Sequence, residues 1–318
     1  LKTILVSGAS GVVGYGALKS LRKGNGDYKL IGTSIYDDSV APAFCDIFEP
    51  APLTSDDSYI DWLSGVIKKH NVDMIVPGID ADMKEWNKAR QTLQDLTMPL
   101  LNSPSLIELC SDKWNFYEHL SKTGSELTIE SRLAGTFEEL KESFGIPFLL
   151  KPRKGFASKG IVIVESEDIF NEHRQDLGEV VMAQPIVGDN ESEYTISAFF
   201  DNQSNLCCLM GLKRKLAKEG FTEKASVGMP SDAKEAILAL ADLLKPVGPT
   251  NFQFRVHDGR LKLLEINPRV SSATSIRTAF GYNESVMSVE YFLDNKTPSQ
   301  PKIEEGYAVR YIEDHIFV

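Results

Sequence analysis

Long apolar runs are missing from this chain. The longest, such as Val180-Val181-Met182-Ala183, fall far short of the roughly 20 residues a bilayer requires. No membrane partner is expected. A basic stretch, apolar segment and cleavage site are also absent at the start, where Lys2-Thr3-Ile4-Leu5-Val6 already reads as a strand, so a cytoplasmic location is expected. Cysteine is sparse and unpaired. Cys45, Cys110, Cys207 and Cys208 show no Cys-x-x-Cys or Cys/His spacing, which argues against zinc and fits a reduced compartment. The histidines, His70, His119, His173, His257 and His315, are scattered singly, and structural or surface roles are the default. Positive charge is in deficit. A formal net charge of −11 speaks against general affinity for nucleic acid.

What is present is an ordinary globular composition, 42% hydrophobic and 25% charged over 318 residues, long enough for two or three subdomains with ample core. The first hundred residues alternate strand and helix: Thr3–Ser7, Val12–Leu21, Lys29–Ser34, Tyr59–His70, Asp73–Pro77, Asp82–Leu96 and Met98–Leu101. That order implies a parallel sheet covered by helices. Beyond a boundary near residue 112, strands dominate with interposed helices, indicating α+β architecture.

The most informative stretch is Leu263-Leu264-Glu265-Ile266-Asn267-Pro268-Arg269. Polar groups occupy every second position of an apolar strand, so Glu265, Asn267 and Arg269 share one face while Leu264 and Ile266 take the other. Asn251 to Val256 reads as the partner strand. A two-residue Asp258-Gly259 turn would leave Gln253 on the wrong face. A three-residue loop with Gly259 at a left-handed bulge instead pairs Gln253 with Leu263 and puts Gln253 diagonal to Glu265. Three oxygen donors, Gln253, Glu265 and Asn267, then converge beside Arg269. A single carboxylate among hard oxygen donors suits Mg2+ (or Mn2+) that keeps positions for water and phosphate. A solvated edge strand is the plain alternative.

Two further segments carry charge or free backbone. After the strand Phe148-Leu149-Leu150, Lys151, Arg153, Lys154 and Lys159 surround a loop bounded by Gly155 and Gly160, with Ser158 inside it. No Walker spacing is present, so the loop reads as a flap able to bend over a polyphosphate. In Val180 to Ile186, a proline-broken strand leaves edge groups for a purine, and Glu193 opens the next strand. Gly8, Gly11 and Gly14 form a G-x-x-G-x-x-G turn followed by Asp37 and Asp38. It looks like a dinucleotide-binding turn, but its spacing departs from that fingerprint, and tight helix-to-strand packing is the preferred reading.

In order, Lys113, Lys151 with its glycine loop, Gln184-Pro185-Ile186, Glu193-Tyr194-Thr195, Gln253 and Glu265-Ile266-Asn267-Pro268-Arg269 resemble the ATP-grasp superfamily, especially its carbamoyl-phosphate-synthase-large-subunit-like and carboxylate-amine ligase branch. The resemblance implies an α/β, Rossmann-like pre-ATP-grasp domain (1–111), an ATP-grasp small subdomain with a glycine-loop lid (112–187) and a large subdomain with the metal site (188–318). It implies ATP and Mg2+ (or Mn2+) as cofactors. Lys113 and Lys151 would hold the α and β phosphates under Gly155, Ser158 and Gly160, Gln184 and Ile186 would offer backbone groups to adenine, and Glu193 would bind ribose. Gln253, Glu265 and Asn267 would ligate the metal, with Arg269 and Lys151 catalytic. Lys213, Arg214 and Lys215 would sit near the acceptor.

The implied activity is a C–N ligase acting on a small-molecule carboxylate and an amine, with a possible homo-oligomer. Carbamoyl phosphate synthases carry arginines where this chain has Lys113 and Lys151, and a second basic residue where it has Ser272. Bicarbonate activation of that kind is one alternative. An NAD(P)-binding reductase using Gly8 to Gly14 is the other.

Overall fold

Residues 1–155, 160–189 and 191–317 are described by the computed structural model. The chain opens as a parallel sheet whose strands β1 (Lys2–Val6), β2 (Tyr28–Ser34), β3 (Ile47–Pro50), β4 (Met74–Val76) and β5 (Met98–Pro99) lie in the order β3-β2-β1-β4-β5. Both faces are covered. Ile4 and Val6 of β1 pack with Leu18 and Leu21 of α1 (Val12–Arg22), whereas Leu5 packs on the other side with Leu63 and Ile67 of α2 (Tyr59–His70) and Trp86 of α3 (Asp80–Lys88). Double covering explains why β1 reads as a continuous apolar run. The expected single helix over Asp82–Leu96 is two, α3 and α4 (Arg90–Gln94), broken at Ala89. β3 had no strand signal in the sequence.

Helices α5 (Pro104–Leu109) and α6 (Lys113–Ser121) lead to a three-stranded sheet, β7-β6-β8. It comprises β6 (Phe148–Pro152), β7 (Val162–Val164) and β8 (Val181–Pro185), packed by α7 (Phe137–Phe144) and α8 (Glu167–His173) through Phe137, Leu140, Phe148 and Phe170. α7 begins with a capping box, Thr136 with Glu139.

The remaining strands are β9 (Glu193–Phe200), β10 (Leu206–Leu216), β11 (Thr222–Val227), β12 (Gly248–His257), β13 (Arg260–Asn267) and β14 (Tyr307–Val309). They form an antiparallel sheet in the order β13-β12-β9-β10-β11-β14. One face carries Ile196, Phe200, Phe252, Phe254 and Ile266 against α9 (Ala233–Leu244). On the other face, Phe199, Met210 and Leu212 meet Ile276 of α10 (Thr274–Ala279) and Met287 of α11 (Glu284–Asp294), and the rest of that face is polar. Segment 216–225 contributes the start of β11, and 271–282 contains α10. The domains are interleaved: Val270 and Val289 belong to the core of the first sheet.

Candidate active site at the polar face

The β12–β13 hairpin closes on a two-residue turn, with His257 opposite Arg260 and both Asp258 (φ 49°) and Gly259 (φ 72°) left-handed, the type I′ pattern. This corrects the expected three-residue loop. The convergence survives for another reason. Phe254 pairs with Leu263 and Gln253 with Glu265, so Leu264 is an extra residue on β13, a β-bulge. The core records the parity break: Leu261, Leu263 and Ile266 all enter it, which strict alternation forbids. Leu263, not Leu264, is therefore the core residue. Glu265 faces Gln253, and Asn267 faces Asn251, on the polar side.

Along β9, Glu193, Thr195 and Ser197 lie on that same side, opposite Arg255, Gln253 and Asn251. Glu193 is 3% exposed, and its carboxylate takes Arg214 Nε and Nη2 on Oε1 (3.0 and 2.9 Å) and Arg255 Nε and Nη2 on Oε2 (3.0 and 2.9 Å). The expectation that Glu193 accepts a ribose is corrected: two guanidiniums occupy it as buried counter-charges. Arg214 Nη2 also donates to Gln253 Oε1 at 2.8 Å. A cation on that oxygen opposes a metal ion there, so Gln253 braces Arg214 in this arrangement and is not a free ligand. Asn267 Nδ2 donates to Glu265 Oε1 at 3.2 Å, turning its own oxygen away from that bond. Among the described residues no group of three or more His, Cys, Asp or Glu side chains could hold a metal. The donor set that fits magnesium is Glu265 with Asn267, completed by water and phosphate oxygens.

The triplet on β10 splits by alternation. Arg214 shares the polar side with Leu212, whereas Lys213 pairs with Tyr194, on the side of Ile196 and Phe200, and Lys215 follows it. Only Arg214 reaches the site, which corrects Lys213 and Lys215.

On the β6 side, Asp112 caps α6 by accepting from the Trp114 and Asn115 backbone, and Arg153 clamps the same carboxylate (Nη2 to Oδ2, 2.9 Å). The cap ties α6 to β6. Lys113 N donates to Arg153 O at 2.8 Å, and Lys113 Nζ donates to Gly155 O at 2.9 Å. Lys151 lies among Glu265, Lys113, Arg255 and Glu193. Burial first, then the charges of Lys113 and Arg255, push its pKa down to about 8 against the pull of Glu265 and Glu193. Gly155 (φ 128°) and Gly160 (φ 77°) adopt backbone that side chains rarely take, and Ser158 falls outside the described residues.

On β8, the backbone of Ala183 bonds Arg132 in both directions, Val181 O accepts from Gly178 N, and Val180 O accepts from Arg153 N. Even-numbered residues thus bond β6 and odd-numbered ones face outward. Gln184 is consequently turned toward Leu149, and its side chain donates to Ser131 Oγ at 2.9 Å. The Gln184 backbone, expected to be free, is therefore taken up by the ladder, and the outward carbonyl is that of Pro185. Ile186 lies beyond the strand's last residue.

Sequence reasoning missed several residues. Arg255 was readable, being two positions from Gln253 on one strand. Arg277, fully buried, was not: its Nη2 donates to Asn251 Oδ1 (2.6 Å) and Thr195 Oγ1 (3.0 Å), and its Nη1 to Ser271 Oγ (2.9 Å) and Glu284 Oε1 (3.2 Å). Ser197 Oγ donates to the other Glu284 oxygen. Asp80 also escaped notice; it accepts from Arg269 Nε at 2.7 Å. At Ser272, where the resemblance expects a base, the carbonyl accepts from Arg310 Nη2.

Comparison with known proteins bears on the fold. A family described as "ATP-grasp in the biosynthetic pathway with Ter operon" matches residues 182–315. The carbamoyl phosphate synthase large chain of Methanosarcina acetivorans is 23% identical over 261 residues, 73% of this chain. The chain spans about a quarter of that relative's length, 24%. N5-carboxyaminoimidazole synthetase from Staphylococcus aureus, solved with ADP, superposes with a TM-score of 0.74 at 17% identity over 95% of this chain and 81% of its own. L-amino acid ligase from Bacillus licheniformis gives a TM-score of 0.67 at 16% identity over 92% and 74%. No helix among the described residues is long and apolar enough to cross a membrane.

Proposed function

We propose, on the premise that the chain belongs to the ATP-grasp superfamily, that it is an ATP- and magnesium-dependent ligase, activating a carboxylate as an acyl phosphate for attack by an amine. The observation that carries this reading is the placement of Lys151, beside Lys113 on one wall, within electrostatic reach of Glu265 on the other. Two cations facing a carboxylate–amide pair suit a polyphosphate gripped from both sides.

In this reading Lys113 and Lys151 hold the α and β phosphates, and the loop between Gly155 and Gly160 covers them. The Pro185 carbonyl accepts from the adenine amino group. Glu265 and Asn267 hold a magnesium ion, which supplies neutralisation of phosphate charge. Arg269 faces the phosphoryl group in flight. A carboxylate oxygen attacks the γ-phosphorus, the bond to the β,γ-bridging oxygen breaks and ADP leaves. The amine nitrogen then attacks the acyl carbon, inorganic phosphate departs, and the amine proton passes to solvent. Acyl phosphate formation divides one difficult condensation into two accessible steps, and a closed cleft keeps water from the intermediate. The Arg214–Glu193–Arg255 cluster sets two guanidiniums on one carboxylate and so leaves a net positive charge at the acceptor end. Residues 1–111, 112–187 and 188–318 serve as three working units, the first completed by Val270 and Val289 from the third, and free cysteines suit a cytoplasmic location.

The test is a phosphate-release screen of carboxylates against amines with Mg-ATP, bicarbonate included. Release requiring both partners supports the ligase. Thermal stabilisation by NADH and none by Mg-ATP overturns it, since a ligand confined to the native state raises the midpoint.

A further inference from the structure

The catalytic arginine of the proposed site does not stand alone. Arg269 Nε donates to Asp80 Oδ1 at 2.7 Å and Nη1 donates to the carbonyl of Val270 at 2.8 Å. Both side chains are withdrawn from solvent, at 11% and 23% exposure. Of the five N–H groups of a guanidinium, these bonds use two, and among the described residues none takes a hydrogen of Nη2, which leaves both for an anion. The other carboxylate acting on Arg269 is Glu265, so the group is suspended between the first sheet and the phosphate site.

Asp80 is itself fixed with little freedom. It is the first residue of α3, where a carboxylate meets the positive end of the helix. The loop before it is locked to the end of β1. A Cβ on Gly78 would meet Ser7 O at 2.0 Å and Gly14 Cα at 3.0 Å, and one on Gly14 would meet Gly8 O at 2.3 Å. A Cβ on Gly8, at φ 57°, would meet Ile79 Cγ2 at 2.7 Å. Gly78 N also donates to Ser7 Oγ at 3.2 Å. The glycine turn that mimics a dinucleotide fingerprint is thus the close-packed seat of the Gly78-Ile79-Asp80 corner.

We propose that Asp80 is a positioning residue of the first domain, which the Gly8/Gly14/Gly78 junction holds in place so that Arg269 presents Nη2 to the terminal phosphoryl group. The inference rests on the ligase reading. It gives the first sheet a part in phosphoryl recognition: unrestrained, the long arginine side chain would lose its aim to rotamer freedom.

Binding of Mg-AMPPNP and Mg-ADP by calorimetry tests it without knowledge of the acceptor. In the wild type the triphosphate analogue is expected to bind more tightly than ADP, and Arg269→Ala should remove the difference; a wild type that binds both equally tightly overturns the role given to Arg269 and Asp80. Asp80→Ala should reduce that preference at least fivefold while leaving the ADP dissociation constant within twofold, and Asp80→Asn, which keeps an acceptor oxygen, should restore part of it. If Asp80→Ala does not fold, Asp80→Asn alone still reports, through a preference intermediate between wild type and Arg269→Ala. An unchanged preference in a folded Asp80 variant overturns the positioning role only. Equal loss of ADP and AMPPNP binding overturns it too, as a general structural effect. A wild-type protein that binds neither nucleotide overturns the ligase reading and this inference together.

Discussion

Gln253 lies directly opposite Glu265 across the β12–β13 ladder, and the extra residue Leu264, not the turn, puts it there. The turn and the bulge make opposite errors of register that cancel: two residues at the tip leave Glu265 on the core side, and one more in the strand returns it to the polar side. Glu265 therefore owes its position to a local irregularity beside the site.

The turn should accordingly be separable from the site. Gly259 has open space around it but φ 72°, so Gly259→Ala is expected to cost about 1 kcal/mol, the strain of a left-handed residue. Urea unfolding measures that loss. Mn2+ binding followed by electron paramagnetic resonance should stay unchanged.

Glu265→Gln tests the donor set. The amide keeps shape but removes the only carboxylate of the proposed ligand pair, so Mn2+ affinity in the presence of ADP should fall about tenfold or more, corresponding to a charge-assisted contact of roughly 1.5–3 kcal/mol. Unaltered affinity with a native circular dichroism spectrum would remove Glu265 from the metal site.

Lys151 predicts a pH dependence. Burial depresses its pKa to about 8 from an ordinary value of 10.5, so the cation proposed to meet phosphate is progressively lost as pH rises through 8. Nucleotide affinity should weaken between pH 7 and 9.5, and Lys151→Met should abolish both binding and this dependence. Stability runs the other way. The folded state holds this proton less tightly than the unfolded chain, so the destabilisation is complete below pH 8 and is relieved as pH climbs toward 10.5. Lys151→Met is expected to unfold at a temperature at least as high as wild type at pH 7, read by differential scanning fluorimetry.

The Arg277–Glu284 pair is fully buried on both sides. Removing one partner strands the other charge, so Glu284→Leu and Arg277→Met should each destabilise by about 3–5 kcal/mol, and the double variant by much less than their sum. Chemical denaturation of the three proteins gives the coupling. Additive losses would mean that the two side chains do not act as a pair.

Sequence alone determined the division into a parallel first half and an antiparallel second half, and the residue types that line the polar face. Period and composition gave the parallel first sheet, the antiparallel second half, the Lys151 loop and the face shared by Glu265 and Asn267, because these depend on alternation between neighbouring residues. A two-residue shift along β12 would also have exposed Arg255. Tertiary structure decided what depends on partners far apart in the chain. It placed Leu264 in a bulge, divided Arg214 from Lys213 and Lys215, turned the Gln184 backbone into the ladder, buried Glu193 between two arginines and brought Asp80 across 189 positions to Arg269. No local pattern encodes those outcomes, since a charged side chain takes the role set by the counter-charge and the burial it meets, and both arrive only when the three sheets pack.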